Sequence, residues 1–160
     1  GGALAASTTQ ALTDAVELGA LGKRPALHAV QAEGCAPLAR AFNLVVNTGN
    51  PGRALARMGD DAEVFMWPWE NPSSAATGIL DDVTYDWQGV VRAMLETGGG
   101  SIVARESEIR QAHQLTDGQP VAVDPTGSAG LAGVLAAQRL GHLTNSGRSA
   151  VLLTGRSRHH

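Results

Sequence analysis

Lysine is almost missing from this chain: Lys23 is the single one among 160 residues, against eleven arginines. Cysteine is equally scarce. With Cys35 alone, no internal disulfide can form, and a reducing compartment is expected. Cys35 itself reads as a small buried hydrophobe rather than a nucleophile. Aromatic residues make up 4% and charged residues 17%, and the net charge is −3. The few basic residues are scattered, with no basic run interleaved with aromatics. A surface for nucleic acid or another polyanion is therefore excluded. No apolar run approaches the roughly 18 residues that a membrane-spanning helix needs. The hydrophobic share of 43% is that of one globular domain with a real core.

What the chain has in quantity is glycine, twenty residues of it, and alanine. The stretch from Pro120 to Gly141, PVAVDPTGSAGLAGVLAAQRLG, concentrates both. Val121 and Val123 alternate as in a short strand. Asp124-Pro125 ends it, and Thr126 and Ser128 place two hydroxyls at a helix start. From Ala129 to Leu140 the helix is apolar almost all round, which predicts burial. Gly127, Gly130 and Gly133 each cost about 1 kcal/mol against alanine in a helix. Such a cost predicts the close approach of a backbone or a ligand; otherwise the segment is a tightly packed core helix.

Taken in order, the chain alternates helices and short strands. Gly1 to Gly19 reads as glycines opening a helix, with Leu4, Leu12, Ala15 and Val16 on one face and Gly19 as its stop. If Gly1 and Gly2 close a glycine loop, the helix start becomes an anion site; otherwise they are a cloning scar. A strand is predicted over Pro25–Ala32, then a helix from Pro37 carrying Leu38, Phe42, Val45 and Val46. Residues 53–58 read as a short helix, Glu63–Trp67 as a short strand, and Trp67-Pro68-Trp69 as a packed surface loop. Residues 73–79 read as a helical turn or two. Thr84 is a predicted N-cap for a helix with the stripe Trp87, Val90, Val91, Met94 and Leu95, ending at Gly98-Gly99-Gly100. Asp81, Asp82 and Asp86 read as first-turn acids of that helix in preference to a cation cluster. A strand over 101–104, a helix over 106–115 facing inward with Ile109, Ala112 and Leu115, and a buried strand at Ala150–Leu153 complete the series. The class is α/β with a mainly parallel sheet. Ligands in such sheets bind beyond the carboxyl ends of strands, which singles out Asp124–Ser128, Thr154-Gly155 and, if a strand precedes it, Gly1-Gly2.

Several chemistries fail on spacing. GALGK at 19–23 is too short for a P-loop, and Arg24 follows the lysine. GSAG at 127–130 is not a nucleophile elbow. His28, His113 and His142 have no metal-ligand spacing and read as surface or capped histidines.

The ordered set GGALAA (1–6), LHAVQAEGCAPLARAF (27–42), NPSSAATGILDD (71–82), EIRQAHQL (108–115), VDPTGSAGLAG (123–133) and VLLTG (151–155) resembles the C-terminal portion of the threonine synthase family. That resemblance spans most of the chain and is least distinctive over 47–70. It implies pyridoxal-phosphate chemistry on the tryptophan-synthase-β-like fold (fold type II), a three-layer α/β/α arrangement. It implies that Gly1, Gly2, Ala3 and Leu4 form the end of the loop that cradles the cofactor phosphate through backbone amides. Thr154 would bond the pyridine nitrogen, with Asp124 and Thr126 beside the ring.

The family's Schiff-base lysine belongs upstream of the glycine loop. Lys23 sits in a helix-to-strand loop, the wrong place to substitute for it. No catalytic residue is therefore expected in this chain. The resemblance implies that residues 1–160 are the C-terminal cofactor-binding part of a lyase of amino-acid biosynthesis. The expected partners are the N-terminal half, a small amino-acid substrate and a second subunit, in the cytoplasm. The start on Gly1-Gly2 without methionine reads as a cut, and the piece is expected to be inactive alone. His159-His160 reads as a tag remnant or native sequence. The implied reaction is O-phosphohomoserine plus water to threonine plus phosphate. The alternatives are a threonine or serine dehydratase, another β-eliminating enzyme of the fold, or a non-catalytic binding module. The tail Arg156-Ser157-Arg158 and the acidic ILDDVTYDW segment depart from the family pattern, which puts the family substrate in doubt.

Overall fold

The computed structural model describes residues 2–120, 123–143 and 147–155. Its elements run α1 (Ala3–Glu17), β1 (His28–Ala32), α2 (Pro37–Asn47), α3 (Pro51–Arg57), α4 (Ala62–Phe65), a 3-10 turn (Thr77–Ile79), α5 (Trp87–Thr97), β2 (Gly100–Ala104), α6 (Glu106–Thr116) and α7 (Ala129–Arg139). Among the described residues the sheet has two strands, β1 beside β2. Gly100 N–H donates to Leu27 O at 3.1 Å, and Glu33 N–H donates to Ala104 O at 2.8 Å. The start of one strand thus meets the start of the other, and end meets end. The pair is parallel, and the helices α2 to α5 form the crossover that parallel strands require. The class is α/β, as the alternation of elements predicts.

The chain divides into two compact units. The first comprises the residues up to Ala29, Pro37–Trp69 and Asp82–Ser101. Its core is the apolar faces of two helices. Leu38, Ala41 and Val45 of α2 and Trp87, Val90, Val91 and Met94 of α5 pack with Met58, Phe65 and Met66. The α5 stripe predicted from its spacing is buried except for Leu95, which packs at the cluster's margin. Phe65 and Trp87 meet with ring centroids 6.1 Å apart. Asn50 accepts from Arg53 N–H at 3.0 Å and Pro51 follows it, which starts α3. Gly98, at φ 70°, ends α5. Trp67 and Trp69 do form a packed loop: the Arg40 guanidinium lies 3.7 Å from the Trp67 ring centroid and donates to the Trp67 carbonyl.

Five expectations fail in this unit. Val46 is exposed, because the buried face of α2 runs through Leu38, Ala41 and Val45. Residues 63–67 are not a strand. Ala62, Phe65 and Met66 recur at i, i+3 and i+4, and Met66 N–H closes a helical turn on Ala62 O at 2.9 Å. Glu63 and Val64 are left outside. Thr84 is buried rather than capping; α5 starts at Trp87 with Asp86 in the cap position. No acid occupies the first turn of α5, so Asp81 and Asp82 are not its dipole partners. Leu4 is 55% exposed, because α1 turns Ala5 rather than Leu4 toward the core.

The second unit comprises Val30–Ala36, Glu70–Asp81 and the residues from Ile102 onward. Its core is alanine-rich: Ala76, Ile102, Ala104, Ile109, Ala112, Ala129, Ala132, Ala136 and Ala137. Small side chains let α6 and α7 approach closely. A forked ion pair spans the two helices, with Arg139 Nε 2.7 Å from Glu108 Oε1 and Nη2 3.3 Å from Oε2. The same Glu108 accepts the Arg105 backbone N–H at 2.8 Å, closing the first turn of α6. Glu106 fixes the preceding loop through Ser74 Oγ at 2.8 Å and Ala75 N–H at 3.1 Å. Leu115 is exposed, contrary to expectation; the inward position after Ile109 and Ala112 is Thr116. Ala150–Leu153 is not a buried strand. It makes no ladder bonds, and Leu152 is 56% exposed. The strand expected at Val121 lies outside the described residues, as do the loop residues Asn145 and Ser146 and the tail from Arg156 to His160.

Two tests follow from the packing. A Cβ at Gly99 would run into the Leu27 backbone, which cannot yield without breaking the pairing that starts β1, whereas nothing stands within 4 Å of one at Gly89 on α5. Gly99→Ala should therefore lower stability by about 1–3 kcal/mol, and Gly89→Ala should raise it by up to about 1 kcal/mol. Urea unfolding of both variants checks the opposite signs. The Arg139 guanidinium holds the Glu108 carboxyl below its ordinary value of 4.5, aided by the Arg105 amide and opposed by burial. A depressed carboxyl stabilises the fold above its ordinary value, and that stability is lost as pH falls through the lowered one. Acid unfolding curves of wild type and Glu108→Gln should converge below that pH, with wild type the more stable at pH 7.

Candidate functional site

The turn before α7 is built by short-range bonds. Asp124 Oδ1 accepts the Gly127 N–H at 2.6 Å, and Asp124 O accepts the Ser128 N–H at 3.0 Å. This closes the chain into a tight Asx-type turn. Ser128 is fully buried and donates to Pro125 O at 3.3 Å, so it seals the turn rather than capping α7. Thr126 Oγ1 accepts the Gly78 N–H at 2.9 Å, which ties the 3-10 turn to this one.

Residues 151–155 lie against the same turn. Thr154 N–H donates to Gly127 O at 3.3 Å. A Cβ on Gly127 would overlap the Gly155 backbone, and one on Gly130 would come within 3.0 Å of Val151 Cγ1. A Cβ on Gly133 would collide with the Val30 side chain. The three glycines of the α7 stretch are thus explained by neighbouring chain that has no room for a methyl group. The structure brings Asp124, Thr126 and Thr154 together around Gly127. Thr154 is exposed, and its hydroxyl makes no hydrogen bond among the described residues. It can donate to an acceptor atom of a small molecule.

The other predicted residues belong to the first unit. Gly2 precedes α1 in the left-handed region, at φ 98°, and accepts the Ala6 N–H at 3.0 Å. The amides of Ala3 and Leu4 come before the first intrahelical bond and are free to meet an anion. A Cβ on Gly2 would come within 3.2 Å of Asp86 Cβ and 3.3 Å of Thr84 Cγ2. Gly1 lies outside the described residues. Lys23 is exposed in the turn between α1 and β1. Among the described residues no three His, Cys, Asp or Glu side chains gather as a metal site, and no helix is long and apolar enough to cross a membrane.

Sequence reasoning singled out Gly155, which abuts Asp124, but missed Gly78, whose amide meets Thr126. Nothing in the local sequence separates Gly78 from an ordinary loop glycine. A cleft of about 360 Å³ lined by Thr48, Asn50, Arg53, Ala54, Arg57 and Phe65 was also missed. Its signal was present as two arginines four residues apart behind an Asn-Pro start.

No protein-family profile matches the chain, and no curated protein matches it. Among solved structures it is similar to a crystal structure of T.th. threonine deaminase, with 20% identity and a TM-score of 0.60. The match covers 91% of this chain and 45% of that one, so the chain spans less than half the length of the protein it matches. At this identity the likeness establishes the fold: α/β with a mainly parallel sheet, of the tryptophan-synthase-β-like type. The resemblance in the sequence pointed to a synthase, whereas the structure matched is that of a deaminase.

The Asp124 turn gives its own test. Asp124→Ala removes the acceptor for the Gly127 amide and should cost about 1–2 kcal/mol, whereas Asp124→Asn keeps an oxygen in place and should cost far less. Amide hydrogen exchange at Gly127 and Thr154 should quicken in the alanine variant alone.

Proposed function

We propose that the chain is the C-terminal cofactor-binding part of a pyridoxal-phosphate-dependent enzyme that eliminates a β-substituent from an amino acid, of the threonine or serine dehydratase class. The observation that carries this reading is the fold likeness to threonine deaminase over nine-tenths of the chain. A threonine-synthase-like activity is the second reading. It rests on LLTG at 152–155, where dehydratases of the fold tend to end the last strand with serine and two glycines.

The residues present fit the cofactor in part. In the first unit, the left-handed Gly2 and the amides of Ala3 and Leu4 by themselves suit a phosphate; in the second, the Thr154 hydroxyl by itself suits a ring nitrogen. When bound, pyridoxal phosphate supplies an electron sink for charge that develops on the substrate α-carbon. The chain's own part would be to orient the ring. A threonine donor, unlike an aspartate, does not force a proton onto the ring nitrogen, which suits elimination better than transamination. Asp124 would act as a positioning residue by fixing the turn on which Thr154 leans. The covalent anchor does not fit: the single lysine is Lys23, exposed between α1 and β1. The catalytic lysine, the substrate site and any second subunit would belong to other polypeptide.

Titration of the chain with pyridoxal phosphate, followed by visible absorbance, tests the reading. Saturable binding is expected that Thr154→Ala weakens about tenfold. Borohydride should leave no reduced adduct on the protein. A reduced adduct on Lys23, found by peptide mass spectrometry, would overturn the assignment of that residue, and binding unchanged in Thr154→Ala would remove Thr154 from the site.

A further inference from the structure

The cleft in the first unit stands apart in chemistry from everything above. Its volume of about 360 Å³ is within the range that holds a small molecule. Its walls carry two guanidinium groups, Arg53 and Arg57, with the Thr48 hydroxyl and the Asn50 amide; Ala54 and Phe65 supply an apolar floor. Both floor residues are buried, so the floor is part of the core and fixed. The rim is also fixed. Thr48 Oγ1 donates to Val45 O at 2.7 Å and accepts the Asn50 N–H at 3.3 Å, and Asn50 Oδ1 accepts the Arg53 N–H at 3.0 Å.

The charges do not cancel. Arg57 is paired with Asp61 one helical turn on. Among the described residues the Arg53 guanidinium has no hydrogen-bond or ion-pair partner. The cleft therefore keeps one uncompensated positive charge beside a rigid apolar surface. An arginine presents a planar set of donors that matches an oxyanion at two points, and the Asn50 side-chain NH2 can complete the contact.

We infer that this cleft binds a small organic anion, with a carboxylate or phosphate head on Arg53 and a compact apolar body against Phe65 and Ala54. The inference is independent of the cofactor reading, since none of these residues is assigned to it. Arg53 sets specificity for the head group, and Arg57, shared with Asp61, adds a second donor.

The test follows the arginine Nε–Hε resonances of the full chain during titration with phenyl phosphate, benzoate and benzyl alcohol. Both anions are expected to shift the Arg53 signal saturably, and the more tightly bound one identifies the preferred head group. Benzyl alcohol, which has the body without the charge, should leave it in place. Arg53→Gln, at an exposed position, should weaken anion binding about tenfold with an unchanged far-ultraviolet spectrum. Asp61→Asn releases Arg57 and should tighten binding about threefold. Equal affinity of the anions for wild type and Arg53→Gln overturns the proposal, and so does benzyl alcohol binding as tightly as the anions.

Discussion

Close approach of neighbouring chain to the glycines at 127, 130 and 133 is the constraint on which the second unit rests. Gly127 lies against Gly155 and Gly133 against Val30, with no space for a single methyl group between them. Alanines continue the same face at 129, 132 and 136. The helix gains close packing at several sites, and the gain offsets the roughly 1 kcal/mol that each helical glycine costs. The site residues of the second unit inherit this geometry. Thr154 is placed by its amide bond to Gly127, and the Gly127 amide is in turn held by Asp124. A larger residue at any of these points would move the hydroxyl as well as the helix.

The two units solve the packing problem with different materials. The first buries long side chains, Met58, Met94, Phe65 and Trp87, between helices with pronounced apolar faces. The second uses almost no large residues and relies on proximity, with Ile102 and Ile109 as its bulkiest buried members. A core of alanines removes less apolar area per residue, so directed interactions count for more there. The fork between Arg139 and Glu108 and the Glu106 carboxylate bonded to the 74–75 amide and hydroxyl supply them. The scarcity of charge in the sequence makes these few carboxylates easier to assign to a purpose.

Much of the fold was legible wherever periodicity was strong. The Trp87 to Met94 stripe, the start of α2 at Pro37 and the stop at Gly98 follow from spacing and cap chemistry alone. Short elements were not legible. Residues 62–66 satisfy a strand pattern and a helical turn equally well, and only the positions of Phe65 and Met66 against α2 and α5 decide between them. Leu152 and Leu153 look like core from composition, yet both side chains are exposed, and the segment packs through the Val151 side chain and the backbone of 152–155. At the candidate site the glycine spacing announced close approach, and Asp124, Thr126 and Thr154 proved to be neighbours. Gly78, whose amide meets Thr126, is distant in sequence and chemically silent, so only three dimensions could identify it.

The junction of α5 with β1 and β2 carries a consequence for how the chain reaches this structure. The Thr97 hydroxyl accepts the Leu27 N–H at 3.0 Å across 70 residues, and the Gly100 amide meets the Leu27 carbonyl beside it. Bringing these ends together closes a loop that contains α2 through α5, and the entropy of closure must be met before any ladder bond rewards it. Four of the intervening segments are helices, which form on local contacts far sooner. By shortening the disordered span they bring the two strand starts within reach of each other. The parallel pair is then a late event in folding, and the helical crossover is the kinetic scaffold on which it depends.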